Sequence, residues 1–365
     1  MASQNKLIDF TALAAQIKQW SWELGFQCTG ISDIDLTEHE THLLNWLGRN
    51  FHGEMDYMAR HETKRSRPSD LVPGTNRIIS VRMDYYPPQD QPPEVILNAP
   101  EVAYISRYAL GRDYHKVLRR RLQQLAGRIT KTAGPFGYRA FVDSAPVLEK
   151  AVAAKAGLGW IGKHTNLLTT QAGSWFFLGE LYTDLPLPTD TPTKAHCGTC
   201  QACIDVCPTK AIRAPYQLDA RRCIAYLTIE LRGSIPVEYR PLMGNRIFGC
   251  DDCQLVCPWN RFAQTTTLQD FKTRLNLDNP PILQLFMWSE QDFLKNTEGS
   301  AIRRIGYEGW LRNIAVALGN APTSKPLLKA LMTRRNHPSP LVREHVEWAL
   351  AQHNTPVFGV ATTVT

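Results

Sequence analysis

Long apolar runs are missing from this chain. No stretch reaches 18 consecutive apolar residues, and the opening Met1–Gln16 is polar, without the apolar core of a secretory leader. These absences predict a chain with no membrane span and no export signal, working in the reducing cytoplasm. A complete dinucleotide fingerprint is missing as well: G-L-G-W-I-G at Gly157–Gly162 has the glycine spacing, but no paired strand and no ribose-binding acid are evident around it. No second histidine stands at metal-site spacing from His115. Cysteine is nearly absent outside one segment, since eight of the nine lie between Cys197 and Cys257. That confinement argues against a disulfide framework, which would spread cysteines along the chain. The outlier, Cys28, reads as a buried apolar thiol.

What is present is a concentrated ligand set. Cys197, Cys200, Cys203 and Cys207, followed by Pro208, form C-x2-C-x2-C-x3-C-P; Cys250, Cys253 and Cys257, followed by Pro258, form a second group, with Cys223 between them. The first run is the bacterial two-cluster pattern, in which the fourth cysteine serves the other cluster. A [4Fe-4S] cube needs one thiolate per iron, and two intervening residues let one turn present neighbouring thiolates to one cube. The spacing therefore assigns Cys197, Cys200, Cys203 and Cys257 to one cluster, and Cys207, Cys223, Cys250 and Cys253 to the other. Zinc ribbons favour paired C-x2-C knuckles rather than three cysteines followed by C-P.

With 365 residues and 43% hydrophobic content the chain can bury a large core in two or three domains. The formal charge of +7 counts the thiols as neutral; two clusters would remove roughly four charges. Basic residues crowd two segments: Arg112, Lys116, Arg119, Arg120, Arg121, Arg128 and Lys131, then Arg303, Arg304, Arg312, Lys325, Lys329, Arg334 and Arg335. Each is either a solvated face or a surface for a polyanion.

Helical spacing of Leu13, Ile17, Trp20 and Leu24 predicts an opening helix that ends near Gly25. A short strand over Phe26–Ile31 and a helix around Leu43–Leu47 follow, then a polar, Arg- and His-rich stretch from Phe51 to Pro73. Ile78–Met83 reads as a buried strand. Leu118, Leu122, Leu125 and Ile129 stripe a long helix, and Tyr138–Val142 is a strand that delivers Asp143 at its end. Glu149–Ala156 is helical, Ser174–Tyr182 a strand, and the Pro/Thr-rich Asp184–Lys194 a domain boundary. Beyond Pro258 short helices joined by tight turns, one striped by Leu311, Ile314, Ala315 and Leu318, another by Val342, Val346, Ala349 and Leu350, suggest a HEAT-like unit. The expected fold class is α+β in three parts: 1–190, 191–262 and 263–365.

Clusters carry electrons and do not by themselves make an enzyme, so the first part is expected to hold the substrate and a redox partner. Its polar candidates are Asp113, His115, Asp143, Lys163 and His164, with Arg107 and Arg112 available for phosphates or cofactor amides. Asp143 has two readings, a partly buried acid that delivers a proton or a cap for the helix that follows, with capping slightly ahead. For His115 an ordinary helix-start role outweighs ligation of a metal.

Longer motifs carry a resemblance over nearly the whole chain. They are H-G-E-M-D-Y-M-A-R (His52–Arg60), S-R-Y-A-L-G-R-D-Y-H (Ser106–His115), F-V-D-S-A-P-V-L-E (Phe141–Glu149), K-A-G-L-G-W-I-G-K-H (Lys155–His164), R-C-I-A-Y-L-T-I-E (Arg222–Glu230) and M-G-N-R-I-F-G-C-D-D-C-Q-L-V-C-P-W-N (Met243–Asn260). In these the chain resembles the epoxyqueuosine reductases, cobalamin-dependent iron–sulfur enzymes that complete queuosine at the tRNA wobble position. The resemblance implies a cobalamin-binding α/β domain, a two-[4Fe-4S] ferredoxin-like module and C-terminal HEAT-like helices. It implies Asp143 as proton donor, with Asp113 near the reacting centre. Arg60, Arg107, Asp143, Lys163 and His164 are implied as contacts to base-off cobalamin. The implied substrate is tRNA (Asp, Asn, His, Tyr) with epoxyqueuosine in its anticodon loop, and electrons come from an external low-potential donor. The chain is expected to act as a monomer.

Overall fold

Residues 8–354 are described in the computed structural model. Contacts along the chain divide it into two compact units, each assembled from several stretches. The first comprises Met1–Pro88, Arg107–Cys223 and Asp251–Arg274; the second comprises Gln89–Ser106, Ile224–Cys250 and Leu275–Thr365. Both halves of the cysteine segment therefore contribute to the first unit, together with most of the 1–190 region.

In the first unit, helix α1 (Phe10–Glu23) buries Leu13, Ala14 and Ile17 on one side, and Asp9 accepts hydrogen bonds from the amides of Thr11 and Ala12 at its start. Strand β1 (Cys28–Ser32) follows, then helix α2 (Thr37–Gly48). The polar Phe51–Pro73 stretch forms short helical turns, held to α2 where Arg67 pairs with Glu40 at 2.8 Å. Strand β2 (Arg77–Asp84), helix α3 (Tyr114–Ala133), strand β3 (Tyr138–Val142), helix α4 (Glu149–Lys155) and strand β4 (Phe176–Thr183) complete the frame.

The sheet is antiparallel throughout, in the order β1-β2-β4-β3. Side chains alternate across it, so each strand feeds two cores. On one face Ile79, Val81, Phe177 and Leu181 pack with Leu13 and Ile17 of α1 and Leu118, Leu122, Leu125 and Ile129 of α3. On the other face Ile78, Phe141 and Tyr182 pack with Val147, Ala151 and Val152 around α4. Central β4 is covered on both faces, and all eight of its residues are buried. At Gly30 a β-carbon would lie 1.9 Å from the Ala156 carbonyl, so only glycine lets β1 approach the end of α4 this closely.

Two expectations are corrected here. The Asp184–Lys194 segment is not a free boundary: Asp190 bonds both the amide and the carbonyl of Ile31, pairs with Lys18, and Leu185 and Leu187 are buried. Its prolines keep it out of the ladder, yet it closes the outer edge of β1. Asp143 does not cap α4 either. That helix begins at Glu149 with Leu148 at the N-cap and no side-chain cap.

The second unit is built around helix α6 (Gly306–Gly319), which is buried at every position from Trp310 to Gly319. Helix α5 (Ile224–Ile229), helix α7 (Lys325–Thr333) and helix α8 (Pro340–Asn354) belong to the same unit. Arg312, assigned to a basic face from sequence, is instead 1% exposed. Its guanidinium donates to the carbonyls of Leu227, Leu231 and Gly233, each at 2.8 Å, and Asn313 donates to Thr228 and Ile247. Carbonyls left open at the end of α5 are thereby satisfied by a buried cation on α6. Arg303, Arg304, Lys325, Lys329 and Arg335 do lie on the surface.

Candidate active site and cysteine sites

The start of α3 and the end of β3 meet. Asp113 caps α3, accepting from the His115 amide at 3.0 Å, and the same carboxylate oxygen receives His115 Nδ1 at 2.7 Å. His115 Nε2 reaches Asp143 Oδ1 at 2.5 Å, and the Tyr114 hydroxyl donates to the other Asp143 oxygen. A single imidazole is thus clamped between two carboxylates. Burial would pull its pKa down, but hydrogen bonds to Asp113 and Asp143 and their charges outweigh that and raise it to about 9. At neutral pH the constellation holds a proton on His115, in contact with an Asp143 whose side chain is 40% exposed. The helix-start reading of His115 missed this role, because its partner lies on a different element.

Behind Asp143 are two further carboxyl groups that sequence reasoning did not single out. Glu149 opens α4, half-buried as a residue but with Oε2 sealed from solvent and unpartnered. Burial first, then the charge of Asp143, raise its pKa to about 8. Glu180, at the middle of β4, is fully buried with neither oxygen hydrogen-bonded. Burial, then Glu149 and Asp143, push it well above the usual carboxylate range. The available signal was a lone acid inside the apolar strand F-F-L-G-E-L-Y.

No disulfide joins any of the nine cysteines. Burial raises the Cys203 thiol to about 11, reinforced by Cys257, Cys197 and Cys200, the set that spacing placed together. Cys253 is raised well above its usual value by burial, then by Cys223, Asp251 and Cys207. Such thiols stay neutral unless metal takes the proton's place, and a cluster does so. Cys250 lies in the second unit, packed with Ile224, Met243 and Val316. Among the described residues no three His, Cys, Asp or Glu side chains converge around one ion position. Cys28 packs beside Ala153, Ala156 and Leu158, as an apolar thiol would.

Lys163 and His164 stand with the first cysteine set rather than with Asp143. Together with His196, Trp259 and Phe262 they line a cavity of about 240 Å³ that includes Cys197, Cys200, Cys203 and Cys257. Lys163 Nζ donates to the carbonyls of Gly198 (2.7 Å) and Cys200 (2.8 Å), bracing the cysteine loop. His164 is 4% exposed and held neutral, its pKa lowered to about 4 by burial and then by Lys150. Its Nδ1 accepts from the Asn166 amide, and its Nε2 has no protein partner. Arg107 is buried, its amide donating to Asp251 at 2.8 Å, and Arg60 is exposed on the loop after α2. Tyr85, on which the charges of Asp251 and Cys253 act, lies tilted against Phe177 at 4.4 Å, and Phe177 stacks on Tyr114 at 4.0 Å. One run of rings therefore joins the Cys253 neighbourhood to Asp143.

Comparison with known proteins gives the family. A family model described as "Epoxyqueuosine reductase QueG, DUF1730" matches residues 65–144, and one described as "4Fe-4S double cluster binding domain" matches residues 196–260. Over 346 residues the chain is 64% identical to the epoxyqueuosine reductase of Pseudomonas aeruginosa, covering 94% of this chain and 96% of that one. It is 58% identical over 345 residues to that of Escherichia coli K12, covering 94% and 90%. Among solved structures, an epoxyqueuosine reductase with a tRNA-Tyr epoxyqueuosine-modified stem loop superposes with a TM-score of 0.86 at 27% identity, covering 94% of this chain and 91% of that one. The Streptococcus thermophilus enzyme gives 0.84 at 27% identity, covering 93% and 90%. The fold and the cysteine sites define an iron–sulfur oxidoreductase. Within that class, the chain belongs to the epoxyqueuosine reductase family.

Proposed function

We propose that this chain reduces epoxyqueuosine to queuosine at the wobble position of tRNA (Asp, Asn, His, Tyr), the last step of queuosine synthesis. Two electrons and two protons are consumed, the epoxide oxygen leaves as water, and an alkene remains. The observation that carries the reading is the proton held on His115 against Asp143, in the same unit as thiols grouped for iron–sulfur ligation. A relative of the same fold has been seen with an epoxyqueuosine-modified stem loop. Lys116, Arg119, Arg120 and Lys131 lie exposed along α3, and basic residues of α7 are available for phosphates.

Electrons from an external low-potential donor would enter through two [4Fe-4S] clusters, held as the cysteine spacing assigns them. The residues present fit cobalamin as the second cofactor: the buried, unpartnered His164 Nε2 suits an amide of a corrin side chain. Arg60, Arg107, Lys163, His164 and Asp143 would hold the cofactor in its base-off form. Bound cobalamin would supply a low-valent cobalt able to deliver two electrons to the epoxide. The protein's own part is acid catalysis. As the ring opens, Asp143 passes the proton stored on His115 to the oxygen, so no free alkoxide forms. Asp113 keeps the imidazole oriented, and Tyr114 fixes the other carboxylate oxygen. By role along the sequence rather than by packing, we would assign 1–190 to cofactor and substrate, 191–262 to the clusters and 263–365 to HEAT-like closing helices, in a monomeric chain working in the cytoplasm.

The test is anaerobic reconstitution with iron, sulfide and cobalamin, then assay on an epoxyqueuosine stem loop with a strong reductant. The expected result is about eight irons and one cobalamin per chain, with queuosine formed. Full activity in a preparation that carries zinc, or no corrinoid, would overturn the reading.

A further inference from the structure

The reduction consumes two protons at one oxygen: the first turns the opening epoxide into a hydroxyl, the second turns that hydroxyl into departing water. His115 holds one proton. Resting on the function proposed above, we propose that Glu149, backed by Glu180, is a buried proton store that reloads Asp143 between these two steps.

Geometry carries the assignment. Glu180 sits on the α4 face of the sheet, flanked in register by Ser80 on β2 and Phe141 on β3, and the protein offers a hydrogen-bond partner to neither of its oxygens. A carboxylate charge is poorly tolerated in such a place, whereas the neutral acid is tolerated. A purely structural residue there would be apolar, like its neighbours Leu178 and Ile78. Glu149 feels the charge of the exposed Asp143, and Glu180 feels those of Glu149 and Asp143, so the three carboxyls are near enough that they cannot all be ionised at once. The groups facing Glu149 are Asp143 after β3, His115 and Tyr114 from α3, Lys150 on its own helix and Glu180 from β4; Tyr182 in turn faces Glu180. Lys150 is the one cation on α4 that opposes neutral Glu149, and its ammonium is drawn to Asn166 at 3.2 Å.

The sequence of transfers balances. The His115 proton passes through Asp143 to the oxygen as the first C–O bond opens. Glu149 then gives its proton to the Asp143 carboxylate and becomes ionised. Asp143 delivers it to the hydroxyl as the second C–O bond breaks, the external donor having supplied both electrons. Solvent restores both protons through the exposed Asp143 before the next turnover. Glu149 therefore acts through Asp143, as a positioning and reloading group.

The experiment combines infrared spectroscopy with pH–rate profiles on the reconstituted holoenzyme. Wild type should show protonated carboxyl bands at pH 7, one lost in Glu149→Gln and another in Glu180→Gln. Wild-type turnover should fall as pH passes about 8. Glu149→Gln should be slower at pH 7 by about ten-fold or more, lack that fall, and keep its iron. Glu149→Asp should recover much of the rate and the fall with it. Absence of the bands from wild type at pH 7 would overturn the store, whether or not the RNA is reduced. So would a Glu149→Gln enzyme with wild-type rate and profile. An inactive wild type that shows the bands counts instead against the proposed function.

Discussion

Replacing His115 by glutamine tests the proton-holding clamp without substrate. The imidazole has a pKa near 6.5 in an unfolded chain and about 9 in the fold. A base whose pKa is raised by folding stabilises the fold fully below its unfolded value, and that contribution is lost as pH rises through the folded value. The difference corresponds to at most about 3 kcal/mol. Solvent lowers this figure, since Asp113 and Asp143 are 29% and 40% exposed and salt screens them. Denaturant unfolding of wild type and His115→Gln, followed anaerobically by tryptophan fluorescence at low salt, reads the difference directly. Wild type should be the more stable by up to about 3 kcal/mol at pH 6, by less at pH 8, and the two should converge above pH 9. A difference that stays flat from pH 6 to pH 10 would refute the clamp, because a neutral, merely packed histidine has no such dependence.

Other changes separate chemistry from architecture. Asp143→Asn should retain iron and cobalamin while turnover falls by about 10²- to 10⁴-fold; near-normal turnover would remove Asp143 as the acid. Cys253→Ser should lose one cube and about half the iron, and full iron retention would undo the ligand assignment. Arg312→Met leaves the carbonyls of Leu227, Leu231 and Gly233 without their cation and should destabilise the fold by about 3 kcal/mol. Thermal unfolding would show it, and an unchanged melting temperature would contradict the structural role given to that buried guanidinium.

Much of this protein was legible in one dimension. Four of the cysteines fall within eleven residues of chain, so local turns present the thiols and their spacing is enough to read. Helices α1, α3, α6 and α8 and strands β2 and β3 announced themselves by periodicity, which is a property of neighbouring residues. The proton-holding constellation was not legible in this way. Tyr114 and Asp143 are 29 positions apart, and they meet because β3 takes the edge of a sheet ordered β1-β2-β4-β3, its end reaching the start of α3. Likewise the charge of Glu180 means little in sequence; it acquires meaning from the central position of β4, covered on both faces. Arg312 looked like a surface cation until the packing of α6 buried it against open carbonyls. Spacing by itself carried the proposed grouping of the cysteines and the longer motifs carried the resemblance to the family, while the partners of each acid and base were decided by which elements the sheet brings together, since proton affinity depends on surroundings assembled from distant parts of the chain.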